Sequence, residues 1–331
     1  MNLFFHIFLL LSACIPAAIY SPDTLDAATN KTSNCNRLCD NVVGILNQRT
    51  NRNENYVFDK SLYHLKLDTL AQVKFWRDIM KLDEDSAIVN FANSRNVIQK
   101  ICLKDWNSKN ELLKKCYRDS VRFVNNLDTN HRVLITTGKK FFYDFDKTSQ
   151  NFQLGIHCFI ENNVDPWFAQ AILLIESPNK LQKSSAGAYG SFQLMKDVAR
   201  LYGLKVNKTI DERADFERSA FAASSLIKAI CIPKARKMLD SLGIKNFTES
   251  DLWFKLLVMH VYHAGSYNVQ SALFTFKPVE GNMDLIYSLW KAQTARFKSA
   301  SQNYSQLILA AMFEMNERSA ILNQTALAVQ P

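Results

Sequence analysis

Three long apolar runs dominate the C-terminal half of the chain. The first, Trp167 to Ile175, is apolar at every position except Gln170. A helix apolar on all faces is a buried one, so this run predicts the central rod of a globular core. Asp165 predicts its N-terminal cap, and Pro166 suits the first position, where a missing N–H is tolerated. Pro178 cannot continue the hydrogen-bond ladder, so the rod ends in Glu176-Ser177-Pro178 with Glu176 in its last turn. The second run, Leu252 to His263, carries Trp253, Phe254, Leu256, Leu257, Val258 and Val261, and Gly265 beyond it suits a left-handed cap. The third, Phe297 to Ala311, predicts a final helix. Between them, Val198 to Leu204 closes one helix, and Asp215 predicts a cap for Phe216 to Cys231, whose Ala220, Ala222, Ala223 and Ser224 allow close helix packing.

The N-terminal half has a weaker pattern. Thr69 to Met80 and Asn93 to Leu103 read as amphipathic helices, and Val133 to Thr136 alternates like a short strand. The aromatic run Phe141 to Phe145 reads as core rather than as a sugar platform. Apolar residues make up 47% of the chain against only 9 glycines and 7 prolines, which points to a mainly α protein. The polar stretch 21–34 reads as a tether, 35–148 as a helical N-terminal region (a separate domain or a wrapping on the rest), 149–317 as the catalytic part and 318–331 as a tail. Residues 1–20 carry no charge, and Leu3 to Leu11 is apolar apart from His6. That run is too short to span a bilayer and has the size of a secretory leader. Leu11-Ser12-Ala13-Cys14 also matches a lipobox, in which Cys14 is lipidated, while Ala17-Ala18 offers ordinary cleavage. The expectation is export to the periplasm or cell envelope.

A net charge of +9 suits an anionic partner: nucleic acid, phospholipid or bacterial cell wall. No stretch interleaves basic and aromatic residues as nucleic-acid binders do, and the leader argues against such a partner. Cys35, Cys39, Cys102, Cys116, Cys158 and Cys231 are even in number, which fits disulfides in an oxidising compartment as well as free buried thiols. His260 and His263 stand three apart, but no His-Glu-x-x-His or third ligand accompanies them, so no metal is expected. Asp211, Glu212 and Asp215 read as helix-capping and ion-pairing acids rather than metal ligands or a second catalytic carboxylate.

Glu176 is the chemical focus. The C-terminal end of a helix carries partial negative charge, and an apolar setting disfavours a carboxylate, so both effects raise its pKa toward the range of a general acid. After a short polar loop comes Ser184-Ser185-Ala186-Gly187-Ala188-Tyr189-Gly190-Ser191-Phe192-Gln193-Leu194-Met195, with two of the few glycines three apart in a turn that allows close backbone approach. This combination resembles the catalytic core of the lytic transglycosylases and goose-type lysozymes: a buried helix ending in Glu-Ser, then Ser-x-x-Gly-Ala-x-Gly-Leu-Met-Gln, then Ala-Tyr-Asn-Ala-Gly, then a final helix with a tyrosine at the cleft. Here Val261-Tyr262-His263-Ala264-Gly265 and Tyr304 stand at the last two positions, and the resemblance covers about half the chain. The departures are Ser191-Phe192 for Leu-Met, His263 for Asn, Val261 for Ala, and a loop one residue short between Glu176 and Ser184.

The resemblance implies a lysozyme-like, goose-type helical catalytic domain behind an N-terminal helical extension. It implies cleavage of the β-1,4 bond between N-acetylmuramic acid and N-acetylglucosamine in peptidoglycan, without a cofactor, leaving 1,6-anhydro ends. Glu176 is then the single acid and base, and Tyr262 the residue whose hydrogen bond orients it. Ser184 or Ser185 steers the acetamido group; Gln193 and the backbone from Gly187 to Gly190 line the cleft, with His263 and Tyr304 beside it. Two other readings stay open: a hydrolytic muramidase or chitinase-like enzyme on the same fold, and a catalytically silent peptidoglycan-binding protein.

Overall fold

A computed structural model describes residues 38, 40–47, 52–176 and 181–328. The protein is mainly helical. The apolar run forms helix α3 (Trp167–Ile175), and all nine of its residues are buried. Asp165 Oδ1 accepts from the Trp167 N–H at 2.9 Å, the expected cap. Around this rod pack α2 (Phe152–Glu161), α4 (Phe216–Leu226), and a 30-residue helix α6 (Ser299–Ala328), against which α5 (Leu252–Ala264) lies. Asp215 caps α4 by accepting from the Arg218 N–H at 3.0 Å. Lys255, buried in α5, reaches Asp165 at 2.7 Å and lies over the Trp167 ring, so the start of the rod is tied to α5.

The N-terminal region is less helical than its pattern predicts. It holds an antiparallel hairpin, β1 (Val42–Asn47) with β2 (Arg52–Val57), and a three-stranded antiparallel sheet in the order β4-β3-β5: β3 (Ser86–Phe91), β4 (Val97–Cys102) and β5 (Val133–Thr137). The helix expected at Asn93–Leu103 is thus corrected to a turn and a strand. Arg95 takes a left-handed φ of 60° and its N–H donates to the Phe91 carbonyl, which reverses the chain. The β-branched Val97, Ile98 and Ile101 then favour the pleated strand over the helix. Helix α1 (Ala71–Lys81) and strand β5 form where the pattern places them.

This region packs on the rest as a wrapping with one shared hydrophobic core. The single polar residue of the rod makes the join: Gln170 Oε1 accepts from the Val57 N–H at 2.7 Å, and its Nε2 donates to the Val57 carbonyl at 2.9 Å. A buried side-chain amide here completes the backbone bonding of β2, which is why a polar residue is tolerated inside an apolar helix. Helix α1 lies along α6, with Trp76 Nε1 donating to Gln306 Oε1 at 3.0 Å and Arg77 bridging Glu314 and Glu317. Cys102, Cys116, Cys158 and Cys231 are free thiols, while Cys14, Cys35 and Cys39 lie outside the described residues. Among the described residues no helix is long and apolar enough to cross a membrane.

Candidate active site

Glu176 forms the C-cap of α3, its N–H bonded to the Ile172 carbonyl. Residues 177–180 lie outside the described set, and the chain resumes toward a tight double turn. The Ser184 carbonyl accepts from the Gly187 N–H and its Oγ from the Ala188 N–H, while Tyr189 and Leu194 exchange both backbone bonds at 3.1 Å. Gly187 and Gly190 have φ of +90° and +86°, in the region glycine alone occupies without strain. The left-handed φ of Gln193 is held by its own side chain, which donates to the Gln182 and Gly190 carbonyls.

Beneath this turn lies buried Arg213. Its guanidinium grips Asp211 at 2.6 and 2.8 Å, donates to the Gly187 and Leu194 carbonyls at 2.9 Å each, and lies under the Tyr189 ring. Asp211 therefore acts as a pairing acid, and Arg213 holds its carboxyl below the ordinary range. Glu212 pairs with Arg218 at 2.8 Å. Gly190 sits so close to the Arg213 carbonyl that a Cβ would come within 2.0 Å, whereas one on Gly187 meets nothing within 4 Å. Gly190→Ala is accordingly expected to destabilise more than Gly187→Ala in denaturant unfolding, because both carry about 1–3 kcal/mol of backbone strain and only the first adds a clash.

Glu176 opens into a cavity of about 390 Å³ together with Ser184, Gln193, His263 and Tyr304. The Tyr304 hydroxyl donates to Glu176 Oε1 at 2.7 Å. Tyr262, expected to orient Glu176, instead donates to the Phe192 carbonyl at 2.5 Å. The correction has a geometric cause: the Tyr262 hydroxyl is taken up in pinning the Gly-rich turn, and α6 brings Tyr304 to the acid. His263 stacks on the Tyr304 ring, centroids 4.1 Å apart, and the dense protein around it depresses its pKa to about 4 although the residue keeps an open side. Of the other expected residues, Ser185 is exposed, and Gly187 and Gly190 shape the turn rather than face the cavity. Phe192 does not enter the cleft: it is fully buried and stacks on Phe159 at 5.8 Å. His260 is buried, its Nε2 within hydrogen-bond distance of Ser305 Oγ at 2.8 Å.

Burial raises the Glu176 pKa from 4.5 to about 7, and the Tyr304 hydrogen bond pulls it back down. Burial, then the negative charge of Glu176, raises the pKa of Tyr304 itself. The site therefore holds a neutral phenol against a carboxyl that exchanges its proton near neutral pH, which is the requirement for a group that both donates and accepts. Sequence reasoning missed the opposite wall. Trp76, Lys139, Phe142 and Tyr143 from the N-terminal region, and Asn303 from α6, also line the cavity. The aromatic run was their only local signal, and it divides: Phe142 and Tyr143 reach the cavity, while Phe145 stays in the core.

Residues 160–273 match the family model of the transglycosylase SLT domain. The chain carries a transglycosylase SLT domain. The match covers about a third of the chain and is consistent with a lytic transglycosylase of the lysozyme-like superfamily; an SLT domain implies peptidoglycan as the class of substrate. No curated protein matches the chain. The SLT match spans Glu176, the Gly-rich turn and His263, and leaves out Tyr304 and the whole N-terminal wall.

Proposed function

We propose that the protein is an exported lytic transglycosylase that cleaves the β-1,4 bond between N-acetylmuramic acid and N-acetylglucosamine and leaves 1,6-anhydro-muramoyl ends. The observation that carries this reading is a carboxyl raised to about 7 as the sole acid among the described residues lining its cavity. A paired-carboxylate glycosidase places a second carboxylate across the scissile bond. With one acid, the substrate supplies the second group. Glu176 gives its proton to the leaving glycosidic oxygen as the C1–O bond breaks, and the acetamido oxygen of the same sugar closes onto C1. The Glu176 carboxylate then takes the proton of the 6-hydroxyl, O6 bonds to C1, and the acetamido group is released. The proton count returns to its start without a water molecule.

Ser184 and Gln193 face the cavity and are the residues assigned to sugar contacts; the exposed Ser185 is the weaker candidate for the acetamido group. Export through residues 1–20, with or without lipidation of Cys14, belongs to this proposal, and both features lie outside the described residues. The test is digestion of purified peptidoglycan in ¹⁸O-labelled water. Unlabelled anhydro ends are the expected product; labelled reducing ends would mean hydrolysis, and intact glycan with bound protein a silent binder. Tyr304→Phe removes the hydrogen bond that lowers the Glu176 pKa, so the alkaline limb of the kcat/KM profile is expected to move to higher pH.

A further inference from the structure

The Glu176 cavity is electrostatically one-sided. Among the described residues it is lined by one acid, Glu176, and by two ammonium groups, Lys139 and Lys183. Lys139 comes from outside the SLT match and is delivered by a built turn. The Gly138 backbone lies so close to the Asp83 and Leu82 carbonyls that a Cβ would come within 2.2 and 2.3 Å of them. The N–H groups of Gly138, Lys139 and Lys140 donate to the carbonyls of Ser86, Ile79 and Leu82 at 2.9, 2.9 and 3.0 Å, and the Lys139 carbonyl accepts from Phe142 and Tyr143. The same turn thus presents Lys139, Phe142 and Tyr143 together. Lys140 is paired with Asp83 at 2.9 Å, whereas Lys139 has no ion pair among the described residues. Lys183 acts partly on Asp211, which Arg213 already holds, so Lys139 is the less committed charge.

Behind this wall lies a third cation. Arg95 is buried, sandwiched near the Phe75 and Trp76 rings at 5.2 and 5.3 Å, and donates to Asn90 Oδ1 and Asn303 Oδ1 at 3.1 and 3.0 Å. No carboxylate pairs with it among the described residues. Trp76 and Asn303 are themselves cavity walls, so the field of an uncompensated guanidinium, weakly screened in protein, reaches the same cleft.

We propose that the Lys139 turn is a carboxylate-recognition subsite, through which the N-terminal region selects glycans with an anionic branch over uncharged ones. The proposal rests on the reading of the cavity as a glycan-cleavage cleft. Muramic acid carries such a branch on O3: the lactyl carboxylate itself where no peptide is attached, or the carboxylates of the stem peptide where one is. Neutral β-1,4 N-acetylglucosamine oligomers have none, and binding them leaves the exposed ammonium without a counter-charge, so they gain nothing from the turn that anionic glycans gain.

The test reads binding apart from turnover, in the full chain carrying Glu176→Gln. Titration calorimetry compares stem-bearing glycan oligomers, amidase-stripped oligomers with free lactyl carboxylates, and neutral N-acetylglucosamine oligomers of the same length, with and without Lys139→Gln. The ratio of affinity for carboxylated over neutral glycan is expected to fall about three- to tenfold in Lys139→Gln, the loss of one charge-assisted contact at a part-exposed site. Lys245→Gln, an exposed lysine that does not line the cavity, controls for net charge and is expected to leave the ratio where it stands. A fall confined to stem-bearing glycan assigns the subsite to stem carboxylates, a fall confined to stripped glycan assigns it to the lactyl carboxylate, and a fall on both shows that it takes either. Binding with an unchanged ratio overturns the subsite alone; no binding of any of the three glycans overturns the cleft reading and the subsite together.

Discussion

Glu176→Gln is expected to lower kcat on purified peptidoglycan by about a hundred- to ten-thousand-fold, the range for loss of a general acid. The amide keeps the shape and can still accept from the Tyr304 hydroxyl, but it has no proton to give at the glycosidic oxygen. The same substitution should change stability in a pH-dependent way. In the wild type the Glu176 pKa is raised on folding, from 4.5 to about 7, so the folded state is favoured by protonation. Below about 4.5 the carboxyl is neutral in both states and no penalty applies. Between about 4.5 and 7 the unfolded carboxyl ionises while the buried one keeps its proton, so about 3 kcal/mol of stability is lost by the time the folded value is passed. Glu176→Gln removes that loss, so the variant is expected to unfold at a higher temperature than wild type above neutral pH and to approach it in acid. A variant that loses activity and is also less stable at alkaline pH would show damage to the fold rather than loss of the acid.

Arg213→Leu is the substitution expected to damage stability most. Its guanidinium is 3% exposed and joins Asp211, two carbonyls of the Gly-rich turn and the Tyr189 ring in one cluster. Removing the cation leaves the Gly187 carbonyl without its side-chain donor, strips one of two donors from the Leu194 carbonyl, and leaves Asp211 with the residue-213 backbone N–H at 3.3 Å. Because Asp211 is 34% exposed, the cost is expected below the 3–5 kcal/mol of a fully buried pair, at about 2–3 kcal/mol. Urea unfolding measures this directly. Lysine is not expected to rescue it, because one ammonium cannot replace a planar fork that binds a carboxylate bidentately and two carbonyls at once. Since the turn carries Ser184 and Gln193 into the cavity, the surviving folded fraction should also show a raised KM. Full stability in Arg213→Leu would mean that the turn is held by its own backbone bonds.

What was legible in the sequence is what is local. The cap at Asp165, the apolar rod and its end at Glu176 follow from neighbouring residues, as do the Gly187-to-Gly190 turn and the cap at Asp215. What was hidden depends on contacts across long stretches of chain. Tyr262 and Tyr304 both sit on helices near the cleft, and only the packing of α5 and α6 decides that Tyr304, 128 residues from Glu176, makes the bond. Gln170 is the single polar position in the rod, yet its partner Val57 lies 113 residues away on a strand. The segment from Asn93 to Leu103 satisfies a helical period as well as a strand one, and the turn at Arg95 settles it. Phe192 departs from the expected motif, and its burial against Phe159 shows the change to be one of core packing.

The central claim is that the end of a buried helix keeps Glu176 protonated near neutral pH inside a glycan-sized cleft. Infrared difference spectra of wild type against Glu176→Gln, recorded from acid to alkaline pH, read that proton at the carboxyl itself. The account predicts a protonated carboxyl C=O band that persists toward neutrality and titrates near 7. A band that disappears with a midpoint near the ordinary 4.5 would contradict it, because the acid would then be spent at the pH where the reaction needs it.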